Sequence, residues 1–213
     1  MARGLRNENP GFHHVVTRGN NKQVIYLEDR DRALFCLTVE RIARRYTWDV
    51  LAYVLMGNHY HLLLRIGEQG LSDGMHDLNH CYAMTFNARH SRINHLFGKR
   101  FWNRELTTEA SLQASARYVI QNPLRAGLVT DPADYMWSSY RATLGQEFPH
   151  ITLSRDLLLG FFGSAPSKAI AAYATFCADV SAIDVSGARH RDVRVANESR
   201  DGVLGAAAAF RRR

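Results

Sequence analysis

The sequence predicts an α+β protein, a ferredoxin-like sandwich in which a central antiparallel sheet has helices packed on it. Short apolar or alternating segments predict four strands, and apolar residues spaced three or four apart predict the helices. Their order is strand, helix, strand, strand, helix, strand, helix. This order is typical of the ferredoxin-like sandwich with its helices on one face of the sheet.

The first half of the chain predicts a strand, a helix and a hairpin. Residues 12–17 predict the first strand, and the acidic residues at 28–31 favour the start of a helix that extends to about residue 46. The nearly continuous apolar segment 49–56 predicts a buried strand. Gly57 and Asn58 predict a two-residue turn, after which residues 59–66 return as the partner strand.

The second half predicts a helix over residues 75–90, a loop with a short strand over 94–106, and a third helix. Thr107 or Thr108 can cap that helix, which we expect to end at Asn122, before Pro123. We expect one domain over residues 1–145, a helical extension over 146–183, and a flexible basic tail over 184–213.

Bulk properties favour a nucleic-acid partner. The 213 residues carry a formal net charge of +7, with a pI of about 9.6, which favours polyanions. No apolar run approaches the roughly 20 residues of a membrane span, and the N-terminus lacks the apolar segment of a signal peptide. The three cysteines are far apart, as expected of reduced thiols. We therefore predict a cytoplasmic, nucleoid-associated protein.

A pair of histidines in the predicted strand at residues 59–66 suggests a metal site. Side chains alternate along a strand, so His59 and His61 project from one face, while Tyr60, Leu62 and Leu64 project from the other and are buried. Imidazole is the commonest metal ligand, and two of them make half of a site. The alternative is a pair of polar residues on a half-solvated strand.

Tyr118 and Asn122 are four residues apart and therefore share a face of the predicted third helix. Tyrosine can act as a covalent nucleophile, and an asparagine carbonyl can complete a metal shell. If this helix packs on the histidine face, the phenol could reach a phosphodiester there. The alternatives are a tyrosine at the edge of the core and an asparagine cap. Tyr82 could be mistaken for the nucleophile, but its helical spacing with Leu78 and Phe86 favours a packing role.

Residues 89–104 interleave basic and aromatic side chains, a pattern that suits a single-stranded nucleic acid. The alternative is a solvated basic face with its aromatic residues turned inward. Polar residues here and beside the other motifs could hold phosphates, which position a substrate without reading its sequence. These candidates are Arg18, Asn20, Lys99, Arg100, Arg104 and Arg125.

Six motifs follow one another between residues 10 and 145. They are His-Val-Val-Thr-Arg-Gly at 14–19, Met-Gly-Asn-His-Tyr-His-Leu-Leu-Leu at 56–64, Phe-Asn-Ala-Arg-His at 86–90, His-Leu-Phe-Gly-Lys-Arg-Phe at 95–101, Tyr-Val-Ile-Gln-Asn-Pro-Leu-Arg-Ala-Gly-Leu-Val at 118–129 and Trp-Ser-Ser-Tyr at 137–140. With this ordered set, the chain resembles the REP-associated tyrosine transposases, an IS200-like group of the HUH single-tyrosine transposases.

The resemblance implies that residues 1–145 are a catalytic domain for single-stranded DNA folded into hairpins of the REP palindrome type. It implies that His59, His61 and Asn122 bind a divalent ion, Mg²⁺ or Mn²⁺. Tyr118 would attack a DNA phosphate, form a 5′-phosphotyrosine and release a 3′-hydroxyl. Gly57 stands where the family commonly has proline, and it suits the turn equally well.

Two other functions stay open at this point. A hairpin-binding regulator would keep the basic surface and need neither a metal nor Tyr118. A metal-dependent phosphohydrolase would use activated water and would cut without a covalent adduct. The long C-terminal extension favours a monomer over a homodimer.

Overall fold

Four strands form one antiparallel sheet in the order β2-β3-β1-β4. The structure, a computed structural model, describes residues 8–98 and 100–180. The strands are β1 (Gly11–Arg18), β2 (Asp49–Leu55), β3 (His59–Ile66) and β4 (Trp102–Leu106). The helices are α1 (Asp29–Arg45), α2 (Leu71–Arg89), α3 (Glu109–Arg125), α4 (Tyr140–Thr143), α5 (Arg155–Leu159) and α6 (Pro166–Ala178). The predicted α+β, ferredoxin-like class is confirmed.

Helices cover both faces of the sheet. On one face, Tyr60 of β3 packs with Phe35 of α1, and this core continues to α2. On the other face, Leu63 of β3 shares a second core with Val119 and Ile120 of α3. The expectation of helices on one face therefore holds for α1 and α2 and is wrong for α3. The physical reason is that β2 is buried and apolar on both of its sides, and such a strand needs a layer on each.

An acidic cap at the start of α1 connects this helix to the end of α2. Asp31 accepts hydrogen bonds from the backbone amides of Leu27 and Glu28, at 2.9 and 3.2 Å. Its other contacts are with Arg89 and His90, at the C-terminal end of α2. The predicted acidic helix start is thus confirmed, and the same carboxylate holds two helices together on the first face.

The third helix does not end before Pro123, as the sequence predicts, but continues to Arg125. Proline lacks the N–H that would bond to the carbonyl four residues earlier. Here the Asn122 side-chain amide donates to the carbonyl oxygen of Tyr118 at 2.8 Å and approaches that of Val119 at 3.5 Å. The side chain thereby compensates for the missing backbone donor, and α3 keeps one more turn.

The helices after residue 150 pack on α3. Tyr173 and Cys177 of α6 are fully buried in the core that α3 shares with the sheet. Gln121 of α3 is also fully buried, and its amide donates to the carbonyls of Cys177 and Asp179. The predicted tail at 184–213 lies outside the described residues. Within the described part of the chain, no helix is both long and apolar enough to cross a bilayer.

Candidate active site

The two histidines of β3 lie on the face of the sheet that α3 covers. His59 and His61 are 5 and 3 % exposed, and their ring centroids are 5.1 Å apart. Tyr60, Leu62 and Leu64 are buried in the core on the opposite face. The alternation predicted from the sequence is therefore observed, and the half-solvated alternative is wrong.

His61 has one ring nitrogen engaged and one without a partner. Its Nδ1 lies 2.9 Å from Nε2 of His14, and the two rings are stacked. Its Nε2 is buried and has no hydrogen-bond partner among the described residues. Since a buried polar atom without a partner is costly, this nitrogen is a candidate ligand atom. A hydrogen bond on the other nitrogen is the usual way to orient a ligating imidazole.

His59 is held in a similar way by two asparagines. Its Nδ1 lies 2.6 Å from Oδ1 of Asn58, in the turn between β2 and β3. A hydrogen bond to the Asn122 side chain raises the pKa of His59, against the larger effect of burial, which lowers it. Because the Asn122 amide nitrogen donates to the Tyr118 carbonyl, its oxygen is the atom left to face His59.

Burial keeps this group of imidazoles neutral. It lowers the pKa of His14 to about 4, with a further contribution from the charge of Arg104. Burial likewise lowers the pKa of His59 to about 4, assisted by Arg18. The pKa of His61 lies well below its usual value, because of burial and the neighbouring histidines. Neutral imidazoles at neutral pH have a lone pair available for a metal ion.

Tyr118 extends from α3 over these histidines. Its ring centroid lies 5.7 Å from that of His61 and 5.8 Å from that of His14. The side chain is 42 % exposed, and the guanidinium of Arg125 lies 5.3 Å from its ring centroid. Tyr82, by contrast, is buried and donates to the carbonyl of Ile25, so the packing role predicted for it is confirmed.

Three of the six predicted phosphate-binding residues surround this site. Arg18 pairs with His59 in the β1–β3 register, and Arg104 pairs with His14 in the β1–β4 register. Arg125 is the third, and its guanidinium lies over the Tyr118 ring. Asn20 lies just after β1, where its backbone N–H donates a hydrogen bond to the Leu96 carbonyl. Arg100 lines a separate cleft beside α2, and Lys99 lies outside the described residues.

Sequence reasoning did not select His14 or Trp102 as site residues. His14 belongs to the first of the six motifs, which was the available signal, but its contact with His61 depends on the pairing of β1 with β3. The Trp102 ring lies 5.5 Å from the His14 ring, in an edge-to-face arrangement. Both contacts arise from strand register, which the local sequence does not encode.

A second group of metal-ligating side chains brings Glu28, Asp31 and His90 together. Arg89 forms ion pairs with both carboxylates of this group. The guanidinium supplies the positive charge that an added cation would otherwise provide. We therefore interpret this group as the ion-pair network that joins α1 to α2.

Comparisons with known proteins bear on this arrangement. Residues 9–122, just over half of the chain, match the family described as transposase IS200-like. The fold is similar to a REP-associated tyrosine transposase solved with a REP hairpin, with a TM-score of 0.59, 15 % identity, and coverage of 72 % of this chain and 92 % of that one. A putative transposase from Deinococcus radiodurans R1 gives a TM-score of 0.40 at 16 % identity, covering 54 and 92 % of the two chains. No curated protein matches the chain.

Proposed function

The chain belongs to the IS200-like transposase family, and from this premise we propose that it is a metal-dependent endonuclease and strand transferase for single-stranded DNA hairpins. The observation that carries the proposal is the position of Tyr118. Its exposed ring lies over the His14–His61 pair, and Asn122, one turn further along α3, faces His59. A nucleophile and a set of metal ligands thus meet on one face of the sheet.

We propose that His59, His61 and Asn122 hold a divalent ion, Mg²⁺ or Mn²⁺. The donor set fits such an ion, because His61 Nε2 is buried without a partner and the Asn122 oxygen faces His59. Imidazole and carbonyl ligands together suit a borderline ion such as Mn²⁺, and availability decides between the two metals. When bound, the ion would supply positive charge that stabilises the phosphate in the transition state.

The chemistry assigned to Tyr118 is an in-line substitution at phosphorus. Its phenol oxygen attacks the scissile phosphate and forms a phosphorus–oxygen bond, while the bond from phosphorus to the 3′-oxygen breaks. The phenol gives its proton to solvent, and the leaving 3′-oxygen takes one up from solvent. The products are a 5′-phosphotyrosine and a free 3′-hydroxyl. One phosphodiester replaces another, so rejoining needs no ATP. The charge of Arg125 over the ring favours the negative charge that develops on the phenol oxygen.

The substrate assignment rests on the basic surface and on the fold. Arg18, Arg104 and Arg125 surround the site, and we assign phosphate contacts to them. The similar solved protein carries a REP hairpin, and we propose a hairpin of that kind for this chain. Asn20, Lys99 and Arg100 would contact DNA further from the cleaved phosphate.

We further propose a monomer. The helix that carries Tyr118 is held by α6 of the same chain, through Gln121 and the core around Tyr173. This contact gives α3 a fixed position on its own sheet, so the histidines and the tyrosine of one chain can act together. We assign the chemistry to residues 1–145 and the support of α3 to residues 146–183.

The test is a denaturing-gel assay with labelled single-stranded hairpin oligonucleotides, with Mg²⁺ or Mn²⁺ and with EDTA. We expect a metal-dependent nick and a covalent protein–DNA band, both lost in Tyr118→Phe and His59→Ala. Tyr46→Phe is the matched control, since this hydroxyl bonds to Asp77, away from the site. Hairpin binding without any adduct would favour the regulator. A nick that survives Tyr118→Phe would favour activated water.

A further inference from the structure

Trp102 is an exposed aromatic side chain beside the candidate nucleophile. It begins β4, the edge strand next to β1, and 52 % of its surface is exposed. Its ring and that of Tyr118 both contact the His14 ring, at 5.5 and 5.8 Å between centroids. The two exposed aromatic rings therefore contact the same buried imidazole.

The surroundings of Trp102 are positively charged. Arg104 is two residues further along β4, on the same face of the strand, and its charge lowers the pKa of the buried His14. Arg125 lies over the neighbouring Tyr118 ring. An exposed indole among guanidinium groups is the combination that binds single-stranded DNA, because phosphates meet the charges while a base stacks on the ring.

We propose that Trp102 stacks on a nucleobase of single-stranded DNA next to the phosphate that Tyr118 attacks. The inference rests on the proposed function, which supplies the DNA. The stacked base would hold the strand beside His14, within reach of the Tyr118 side chain that contacts the same imidazole. A base without a partner in a duplex has a free face for this contact, so the residue favours an unpaired nucleotide at the cleavage site.

The chain offers a direct probe of this contact. It has three tryptophans, and Trp48 and Trp137 are only 6 and 5 % exposed. Oligothymidylate, which forms no hairpin, is therefore expected to quench the tryptophan emission of the Tyr118→Phe protein, in which no adduct can form. The quenching should disappear in Tyr118→Phe/Trp102→Leu, because the other two indoles are shielded from the DNA.

Affinity for fluorescein-labelled oligothymidylate gives the second measurement. Trp102→Leu, in the Tyr118→Phe background, is expected to weaken binding by about 5- to 150-fold, since a stacked base accounts for such a factor. Trp102→Phe keeps an aromatic face and should stay within about threefold of the parent. Phe148→Leu is the control, because Phe148 is 93 % exposed and lies outside the site.

The outcomes separate this proposal from the function on which it rests. Unchanged emission on DNA binding, with unchanged affinity in Trp102→Leu, would overturn the stacking contact even if wild-type protein forms the covalent adduct. Quenching and weakened binding without any adduct from the wild type would support the contact and remove the nuclease assignment. Equal loss of affinity in Trp102→Phe and Trp102→Leu would also refute stacking.

Discussion

Acid should destabilise this protein through its buried histidines. In the folded chain, burial together with Arg104 lowers the pKa of His14 to about 4, from a usual value of 6.5. A group whose pKa is lowered by folding binds its proton more tightly in the unfolded state. The free energy of unfolding therefore falls as the pH drops below about 6.5, and this loss is complete below about pH 4.

The size of the effect follows from these two values. For one imidazole with a pKa of about 4 when folded and about 6.5 when unfolded, the free energy of unfolding falls by about 2 kcal/mol between pH 7.5 and pH 5. The pKa of His59 is lowered to the same value, and this residue adds a similar amount. Replacing His14 with glutamine keeps a polar side chain near His61 and removes one titrating group.

The assay is urea unfolding in EDTA at these two pH values. We expect wild-type protein to lose about 2 kcal/mol more than His14→Gln, whatever the stability of the variant at neutral pH. His80→Gln, which removes an exposed histidine of α2, is the control for the loss of a histidine as such. If wild type and His14→Gln lose equal stability on acidification, burial does not hold this imidazole neutral.

Three further predictions concern the metal and the packing. Asn122→Ala should weaken Mn²⁺ binding by at least about tenfold, measured by electron paramagnetic resonance, and Asn122→Asp should restore it. Gly74→Ala should lower the free energy of unfolding by about 1–3 kcal/mol in urea, because the added carbon would overlap the Trp48 ring. Gln121→Ala should cost about 1–3 kcal/mol in the same assay, since it removes a buried hydrogen bond to Cys177 of α6 and a partly buried one to Asp179, directly after that helix.

Local sequence patterns were sufficient to predict the family of the chain and the position of strand β3. Its bounds, His59–Ile66, agree with the prediction, because a turn signal and an alternating apolar pattern define the strand together. The face that carries His59 and His61 follows directly from that alternation. The family resemblance drawn from the ordered motifs is confirmed as well.

Tertiary contacts decided the features that were predicted wrongly or not at all. The second helix begins at Leu71 rather than at residue 75, because Gly74, a weak helix former, gains a close contact with Trp48. The third helix passes Pro123, and the Asn122 side-chain amide approaches the Val119 carbonyl to which proline cannot donate. The His14 contact depends on which residues of two distant strands pair, and no local pattern reports that register.

The site consists of two halves that different parts of the fold hold in place. The β1–β3 register positions the buried histidines, whereas the contact of α3 with α6 positions Tyr118 and Asn122. Burial suits the metal site that we propose, because neutral and oriented imidazoles are what an ion needs. Exposure suits the role of nucleophile that we propose for Tyr118, because a DNA strand would have to reach it from solvent. The Asn122 side chain connects the halves, since its nitrogen holds the helix and its oxygen faces His59.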